Sequence, residues 1–141
     1  MSLTLRPVPV EFAAQTWPLV EGMLAEAEKH GGGNYSLEHI KLYVNTGQWM
    51  LLVATDDENK IHGSAVMSFI NYPASRIGFV TCSGGKGVFN KHVVSQLVSI
   101  AASKGATKVQ ATARDSVVRL LESAGFSKRS TVVEINMQEA L

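Results

Sequence analysis

One strand–helix–strand unit constrains the fold more than any other part of the chain. Its first strand is predicted at Arg76 to Cys82, and its second at Lys108 to Ala113. Between them lie a glycine-rich turn and a helix ending at Gly105, whose apolar stripe comprises Val93, Val94, Leu97, Val98 and Ala101. A helical crossover is too long for a hairpin, so the two strands must lie parallel in one sheet.

Length and composition favour a single globular domain over residues 1–141, because 45% of the residues are hydrophobic and 18% are charged. The net charge of +1 gives no general attraction to nucleic acid or to a membrane surface, and we expect neither as a partner. No apolar run approaches the roughly 20 residues of a membrane span. A lone cysteine, Cys82, excludes an intramolecular disulfide and suits a reducing cytoplasm.

The first third of the chain predicts one strand followed by two helices. Leu3 to Val8 forms the strand, which nearby prolines end or place at a sheet edge. Apolar residues then recur at helical spacing from Phe12 to Ala27, with Pro18 tolerable if Thr16 or Trp17 restarts a helix and Pro18 lies in its first turn. The glycine triplet at residues 31–33 ends that helix as a loop, and Ser36 caps a second helix.

A three-stranded meander follows, which we predict at Trp49 to Thr55, Ile61 to Tyr72 and Arg76 to Cys82. After the crossover unit, an amphipathic helix capped by Asp115 leads to a last strand at Thr131 to Met137. The predicted fold class is therefore α/β of the α+β type with a mixed central sheet, in the order β-α-α-β-β-β-α-β-α-β.

Three segments carry a more specific resemblance. They are Ile61-His62-Gly63-Ser64-Ala65, Gly84-Gly85-Lys86-Gly87-Val88-Phe89 and Leu120-Leu121-Glu122-Ser123-Ala124-Gly125-Phe126. With the element order, they resemble the GNAT superfamily of acetyl-CoA-dependent N-acetyltransferases over nearly the whole chain. The resemblance implies an acetyltransferase that uses acetyl-CoA as co-substrate and acts on a small-molecule or peptide amine.

This chain departs from the pyrophosphate signature of that family at two of its three positions. The signature reads Arg or Gln, two residues, Gly, one residue, then Gly or Ala. In this chain the three signature positions are occupied by Gly84, Gly87 and Phe89. A register two residues earlier uses Cys82, Gly85 and Gly87 instead. Such motifs work because main-chain N–H groups at a helix start point at the anion, and small residues let it approach. An inward-pointing Phe89 would obstruct that approach.

A third departure concerns the proton donor. Many family members carry a tyrosine in the last helix that protonates the departing thiolate, and Leu121 occupies that position. Acetyl transfer gains most from positioning the reactants, so the loss of one proton donor slows the reaction without necessarily abolishing it. We expect acetyl transfer to be slow or absent even where acetyl-CoA binds.

The resemblance also implies a cofactor site. The main chain of Phe79, Val80 and Thr81 would bind the pantetheine arm as an added strand would. The pyrophosphate would meet four residues of the glycine turn, namely Gly85, Lys86, Gly87 and Val88. Basic residues near this turn in the sequence are Lys86, Lys91, Lys104, Lys108 and Arg114.

Catalytic residues are not assigned, and no metal site is expected. Glu38 and Glu134 are the acids considered as a general base, and Cys82 is interpreted as a small buried side chain. The histidines lack metal-ligand spacing and suit surface or capping roles. In the GNAT arrangement, the loops beside the acceptor groove would contain Tyr35, Asn71 and Tyr72, which also read as ordinary turn residues.

A second hypothesis keeps the fold without the activity. The departures at Gly84, Phe89 and Leu121 favour a binding or assembly module, for instance a phage-encoded accessory protein. The sequence leaves the acceptor and the oligomeric state open, with a homodimer as one option.

Overall fold

The computed structural model describes residues 2–29 and 34–140, so the predicted glycine loop at residues 31–33 lies outside the described residues. The strands are β1 (Thr4–Pro7), β2 (Met50–Thr55), β3 (Ile61–Tyr72), β4 (Ser75–Gly85) and β5 (Lys108–Ala111). The helices are α1 (Ala13–Glu28), α2 (Leu37–Asn45), α3 (Lys91–Ser103), α4 (Asp115–Ser123) and α5 (Met137–Ala140), and a short 3₁₀ turn (Val10–Phe12) precedes α1. None of these helices is both long and apolar enough to cross a membrane.

The five strands form one sheet in the order β1-β2-β3-β4-β5. Neighbours pair antiparallel except β4 and β5, which are parallel, with Ile77 opposite Lys108 and Val80 opposite Ala111. The predicted mixed sheet and its crossover unit are therefore confirmed.

Helices cover both faces of the sheet. On one face, α1 and α2 pack on the strands through the buried residues Ala13, Trp17, Val20, Leu24, Ile40 and Val44. On the other face, α3 packs through Val93, Leu97 and Ala101. The Gln96 side chain ties α3 to the β1 end of the sheet, because its amide oxygen accepts from the Leu5 N–H at 2.8 Å and its amide nitrogen donates to the Leu3 carbonyl at 3.0 Å.

Helix α1 corrects the prediction for Pro18, which lies inside the helix and not in a first turn. Proline has no N–H to donate to the carbonyl four residues earlier. Both Pro18 and Ala14 are exposed, so water can solvate that carbonyl. The buried stripe of α1, which includes Trp17 and Val20, therefore continues past the proline.

The last strand is absent from the described structure, which corrects the prediction at Thr131 to Met137. Residues 131–136 have no regular structure, and Met137 begins α5. Val132, Val133 and Ile135 are 78%, 89% and 76% exposed. Strand-forming residues form a strand only when a neighbouring strand supplies hydrogen bonds and a face to pack on, and here this stretch has neither.

Helix α4 is amphipathic as predicted, but Asp115 is its first residue and not its cap. Arg114 takes the cap position without a side-chain cap hydrogen bond. The Asp115 carboxylate in the first turn still suits the positive end of the helix. No residue of α4 is buried, so the helix lies only loosely on the rest of the chain.

Candidate functional site

Pairing between β4 and β5 covers only the first part of β4, because β5 is the shorter strand. Pairing with β5 stops at Val80 and Ala111, whereas β4 remains paired with β3 as far as Gly85. The side of β4 that faces β5 is therefore unpaired with β5 from Thr81 onward. A cleft between two parallel strands that part at their carboxyl ends is a common place for a ligand.

A β-bulge marks the start of this open edge. On β3, Met67 lies opposite Val80 and Val66 lies opposite Cys82, so Thr81 has no partner residue. Residues two apart on a regular strand share a face, yet Val80 packs in the α3 cluster and Cys82 in the α1–α2 cluster. The extra residue at the bulge therefore reverses which face of the sheet the later β4 side chains occupy. It also changes the direction of the β4 main chain at the position where β5 ends.

Tyr35 reaches this bulge from the segment before α2. Its hydroxyl donates to the Thr81 carbonyl at 3.0 Å, and its ring meets the Trp49 ring edge-on at a centroid distance of 5.3 Å. Burial raises the pKa of the Tyr35 hydroxyl, with a smaller contribution from Cys82, so the phenol stays a donor at neutral pH. Of the three residues predicted beside the acceptor groove, Tyr35 is the one at the bulge.

Asn71 and Tyr72 lie at the other end of β4. Asn71 is opposite Arg76 and accepts from its guanidinium at 2.8 Å, while Tyr72 is 56% exposed. Thr81 is five positions after Arg76, which is about 16 Å along a strand. These two residues therefore end β3 beside the β3–β4 turn, away from the bulge.

Two glycines of the predicted phosphate turn are required by packing. A Cβ on Gly84 would lie 2.3 Å from the Met23 carbonyl oxygen of α1, and one on Gly85 would lie 2.4 Å from the His62 carbonyl oxygen of β3. Gly85 also has a φ of +113°, which other residues rarely adopt. Packing and backbone conformation alone therefore account for glycine at these two positions.

Gly87 differs from its neighbours. It has a φ of +68°, and a Cβ there would meet no atom of the described chain within 4 Å. Lys86 beside it is exposed, whereas Val88 is buried and fills the space above Gly63. The tip of the turn thus offers an open glycine and a cation, anchored by a buried valine.

Phe89 points toward the core. It is partly buried against the α3 cluster and lines an apolar cavity of about 20 Å³, room for roughly one water molecule. Helix α3 begins two residues later, where the Asn90 side chain accepts from the Val93 N–H at 3.0 Å. One donor of the helix start is therefore already used within the chain.

Two of the five basic residues that are near the turn in the sequence lie far from it in the fold. Lys86 lies in the turn and Lys91 starts α3, but Lys104 follows the far end of that 13-residue helix and Lys108 starts β5. Such a helix is about 20 Å long. Arg114 precedes α4, just beyond the carboxyl end of β5.

Cys82 and His39 take structural roles. Burial raises the pKa of the Cys82 thiol to about 11, with a smaller effect of the Glu28 charge, so this thiol is not activated. His39 completes a capping box with Ser36, as expected. The two acids considered as a base, Glu38 and Glu134, are exposed. No group of three metal-ligating side chains occurs in residues 2–29 and 34–140.

A polar pair that the sequence did not indicate lies beside the glycine turn. His62 Nε2 is 2.7 Å from Asp56 Oδ2, and both side chains are partly buried. Asp56 also accepts from the Glu58 and Lys60 N–H groups, and these bonds, led by that from His62, hold the pKa of the Asp56 carboxyl below its usual range. The polar run from Asp56 to Lys60 was a signal for a turn, not for this pair.

Comparison with known proteins gives structural likeness alone. No family model matches the chain, and no curated protein sequence does. A predicted acetyltransferase with acetyl-CoA from Clostridium acetobutylicum has a TM-score of 0.65 at 14% identity, over 98% of both chains. An aminoglycoside acetyltransferase from an uncultured soil metagenomic sample, in complex with sisomicin, has a TM-score of 0.67 at 15% identity, over 95% of this chain and 94% of that one.

A third similar structure is glucosamine-6-phosphate N-acetyltransferase from Arabidopsis thaliana. Its TM-score is 0.60 at 15% identity, with 97% of this chain and 99% of that chain covered. At such identities the likeness shows a shared fold and no more.

Proposed function

We propose that this chain, which has the GNAT fold, binds acetyl-CoA along β4 and transfers the acetyl group to an amine. One observation carries the proposal: β4 continues through a bulge at Thr81 to Gly85 after β5 has ended its pairing at Ala111. An open strand edge binds an extended, amide-bearing molecule through main-chain hydrogen bonds, and the pantetheine arm is such a molecule.

The pantetheine arm would run along the open edge of β4. Phe79, Val80 and Thr81 are the residues that the family resemblance implies. The main chain of Phe79 and Val80 already pairs with β5. We therefore propose that the contact with the pantetheine arm continues along Thr81 to Gly84, where the pairing with β5 has ended. The Tyr35 hydroxyl at the Thr81 carbonyl supports this arrangement by fixing the main chain at the start of the open edge.

The pyrophosphate would lie against Gly85, Lys86, Gly87 and Val88. The open space at Gly87 fits an anion that must approach the main chain closely, and the exposed Lys86 ammonium supplies a positive charge beside it. The Phe89 ring packs against the core cluster, and no atom of the described chain lies within 4 Å of a Cβ on Gly87, so the ring does not occupy the space at Gly87.

In the reaction, the amine nitrogen forms a bond to the acetyl carbonyl carbon, and the bond from that carbon to sulfur breaks. The nitrogen releases a proton to solvent or to a base, and the thiolate takes one up. Leu121 has no proton to give, so water protonates the thiolate and transfer is slow. The acceptor class is a small-molecule or peptide amine, in line with the similar aminoglycoside and glucosamine-6-phosphate acetyltransferases.

A binding or assembly module on the same fold is the second candidate. It is favoured by the hydrocarbon side chain at Leu121 and by the packing role of Gly84 and Gly85. The two candidates differ in turnover, not in architecture.

Titration calorimetry with acetyl-CoA tests the proposal, using two charge-reversal variants. K86E should weaken binding about tenfold, because it places a negative charge at the proposed pyrophosphate position. K104E changes the net charge equally but at the far end of α3, and should leave Kd unchanged. Equal effects of both variants, or no binding by the native chain, would reject the site.

Turnover is measured separately, by release of free thiol with a panel of amines. Binding without thiol release above the rate without protein would select the module over the enzyme. Thiol release that K86E slows and K104E does not would select the enzyme.

A further inference from the structure

The proposed reaction leaves one partly buried carboxylate, that of Glu28, without a role. Glu28 is the last residue of α1. Within residues 2–29 and 34–140, its carboxylate takes part in no hydrogen bond or ion pair. Glu26, two positions earlier, is exposed instead and pairs with Lys29 at 3.2 Å. Because burial without a partner costs a charged group solvation free energy, Glu28 is suited to bind a cation from outside the chain.

The C-terminal turns of α1 lie over the part of β4 that is not paired with β5. The Cys82 thiol donates to the Leu24 carbonyl at 3.5 Å, and a Cβ on Gly84 would lie 2.3 Å from the Met23 carbonyl oxygen. In an α-helix, the carbonyl of residue 24 also accepts the N–H of residue 28. The Glu28 main chain therefore lies beside the Cys82 side chain. Burial raises the pKa of this thiol to about 11, and the Glu28 charge adds to that effect.

Tyr35 approaches the same part of β4 from the segment before α2. Its hydroxyl donates to the carbonyl of Thr81, the residue before Cys82, and its ring is partly buried against Trp49. The phenol oxygen can still accept a hydrogen bond, because a hydroxyl that donates keeps its lone pairs. Aromatic faces also attract cations. Since Tyr35, Trp49 and Cys82 belong to the cluster on the α1–α2 face, a carboxylate, a phenol oxygen and two rings lie on one side of β4.

The proposed path of acetyl-CoA ends at this corner. With the pyrophosphate at Gly85 to Val88, the pantetheine arm would run back along β4 from Gly84 to Thr81, about 10 Å of strand. The thioester at the far end of the arm would then lie next to Thr81. An attacking amine nitrogen must come within about 3–3.5 Å of the thioester carbon. Groups that bind the amine must therefore lie near Thr81, as Glu28 and Tyr35 do.

We propose that the Glu28 carboxylate and the Tyr35 hydroxyl oxygen bind the acceptor amine as its ammonium ion. This inference rests on the proposed function and deepens it, because it assigns the acceptor a charge and a class. An alkylamine such as the lysine side chain has a pKa of about 10.4 and is therefore a cation at neutral pH. The three N–H donors of a primary ammonium group match the two carboxylate oxygens and the phenol oxygen. A primary amine is the expected acceptor for that reason.

The charge of the site also disfavours some acceptors. Glu28 would repel an anionic group close to the amine nitrogen. The rings of Tyr35 and Trp49 favour an apolar or aromatic group beside the nitrogen. We therefore expect a primary amine with an apolar substituent, in contrast to glucosamine 6-phosphate, after which the similar Arabidopsis enzyme is named.

Calorimetry with 2-phenylethylamine tests the site without turnover, on the chain saturated with CoA. 2-Phenylethanol is the matched ligand, because a hydroxyl replaces the ammonium group while the ring is unchanged. The native chain should bind the amine at least about tenfold more tightly than the alcohol, as a charge-assisted contact predicts. Equal affinities for the two ligands, or no binding of the amine, would overturn the proposal.

Two variants at Glu28 and one at Glu26 separate a specific contact from a general effect of charge. E28Q should remove the preference for the amine over the alcohol. E28D should keep part of it, because the carboxylate remains on a side chain one carbon shorter. E26Q removes the same charge from an exposed position and should leave the preference unchanged. Equal losses in E28Q and E26Q would refute the assignment to Glu28.

Acetyl-CoA binding and thiol release distinguish failure of this site from failure of the proposed function. E28Q should raise KM for 2-phenylethylamine about tenfold and leave Kd for acetyl-CoA unchanged. Acetylation by E28Q with the native KM would refute the Glu28 site and leave the acetyltransferase proposal standing. A native chain that binds neither CoA nor acetyl-CoA would reject the proposed function and this inference together.

Discussion

The Tyr35 hydroxyl donates a hydrogen bond to the main-chain carbonyl of Thr81, a residue 46 positions later in the sequence, at 3.0 Å. The bond joins the segment before α2 to the bulge where β4 loses its pairing with β5. Because the ring also packs on Trp49, the phenol holds the bulge from a rigid support. The geometry of the open strand edge therefore depends on a side chain outside the sheet.

Replacing Tyr35 by phenylalanine removes this bond and retains the ring. Thr81 loses a partner, so we expect a loss of about 1 kcal/mol in unfolding free energy and weaker acetyl-CoA binding. Tyr43→Phe is the control, since Tyr43 contacts the same Trp49 ring at 4.7 Å. Urea unfolding and calorimetry measure the two effects, and equal changes in both variants would show that Tyr35 acts only through packing.

Alanine substitutions at Gly85 and Gly87 should lower the stability of the chain by different amounts. Gly85→Ala combines a positive φ with a Cβ 2.4 Å from the His62 carbonyl oxygen, and should destabilise the chain by about 3 kcal/mol or more. Gly87→Ala meets no neighbour and should cost about 1–2 kcal/mol for its backbone conformation alone.

The affinity for acetyl-CoA tests whether the open space at Gly87 holds the pyrophosphate. If a pyrophosphate uses the open space at Gly87, Gly87→Ala should weaken acetyl-CoA binding while the chain stays folded by circular dichroism. Unchanged affinity would place the anion elsewhere.

Leu121→Tyr should supply the missing proton donor. A phenol helps only as charge develops on sulfur, so kcat should rise about tenfold or more while KM changes little. Leu120→Tyr adds the same group at the neighbouring position of α4, where the side chain is 49% exposed, and should give no gain. Fast native acetylation with no response to Leu121→Tyr would show that no acid is needed there.

Cys82 should make stability fall at alkaline pH. Burial raises the pKa of this thiol from 9.0 to about 11, so its contribution is complete below pH 9 and is lost as the pH rises toward 11. Between pH 8 and pH 10.5, the native chain should lose about 2 kcal/mol more than Cys82→Ala. Urea unfolding at the two pH values measures this difference, and parallel losses would contradict it.

Local sequence patterns were enough to predict most helices and strands of this fold. The apolar spacing in α3, the polar turn from Asp56 to Lys60 and the Ser36 cap were each readable from a few neighbouring residues. The crossover helix also determined that β4 and β5 are parallel, because chain connectivity allows no hairpin there. The element order followed from these local signals.

Tertiary structure decided what depends on residues far apart in the chain. Thr131 to Met137 has the composition of a strand, yet residues 131–136 have no regular structure, because strand propensity forms a strand only where the segment is paired with a neighbour. Gly84 and Gly85 resembled a phosphate motif, yet contacts with Met23 and His62 are what require them. No periodicity could predict such contacts, since their distances are set by how α1 and β3 pack against β4.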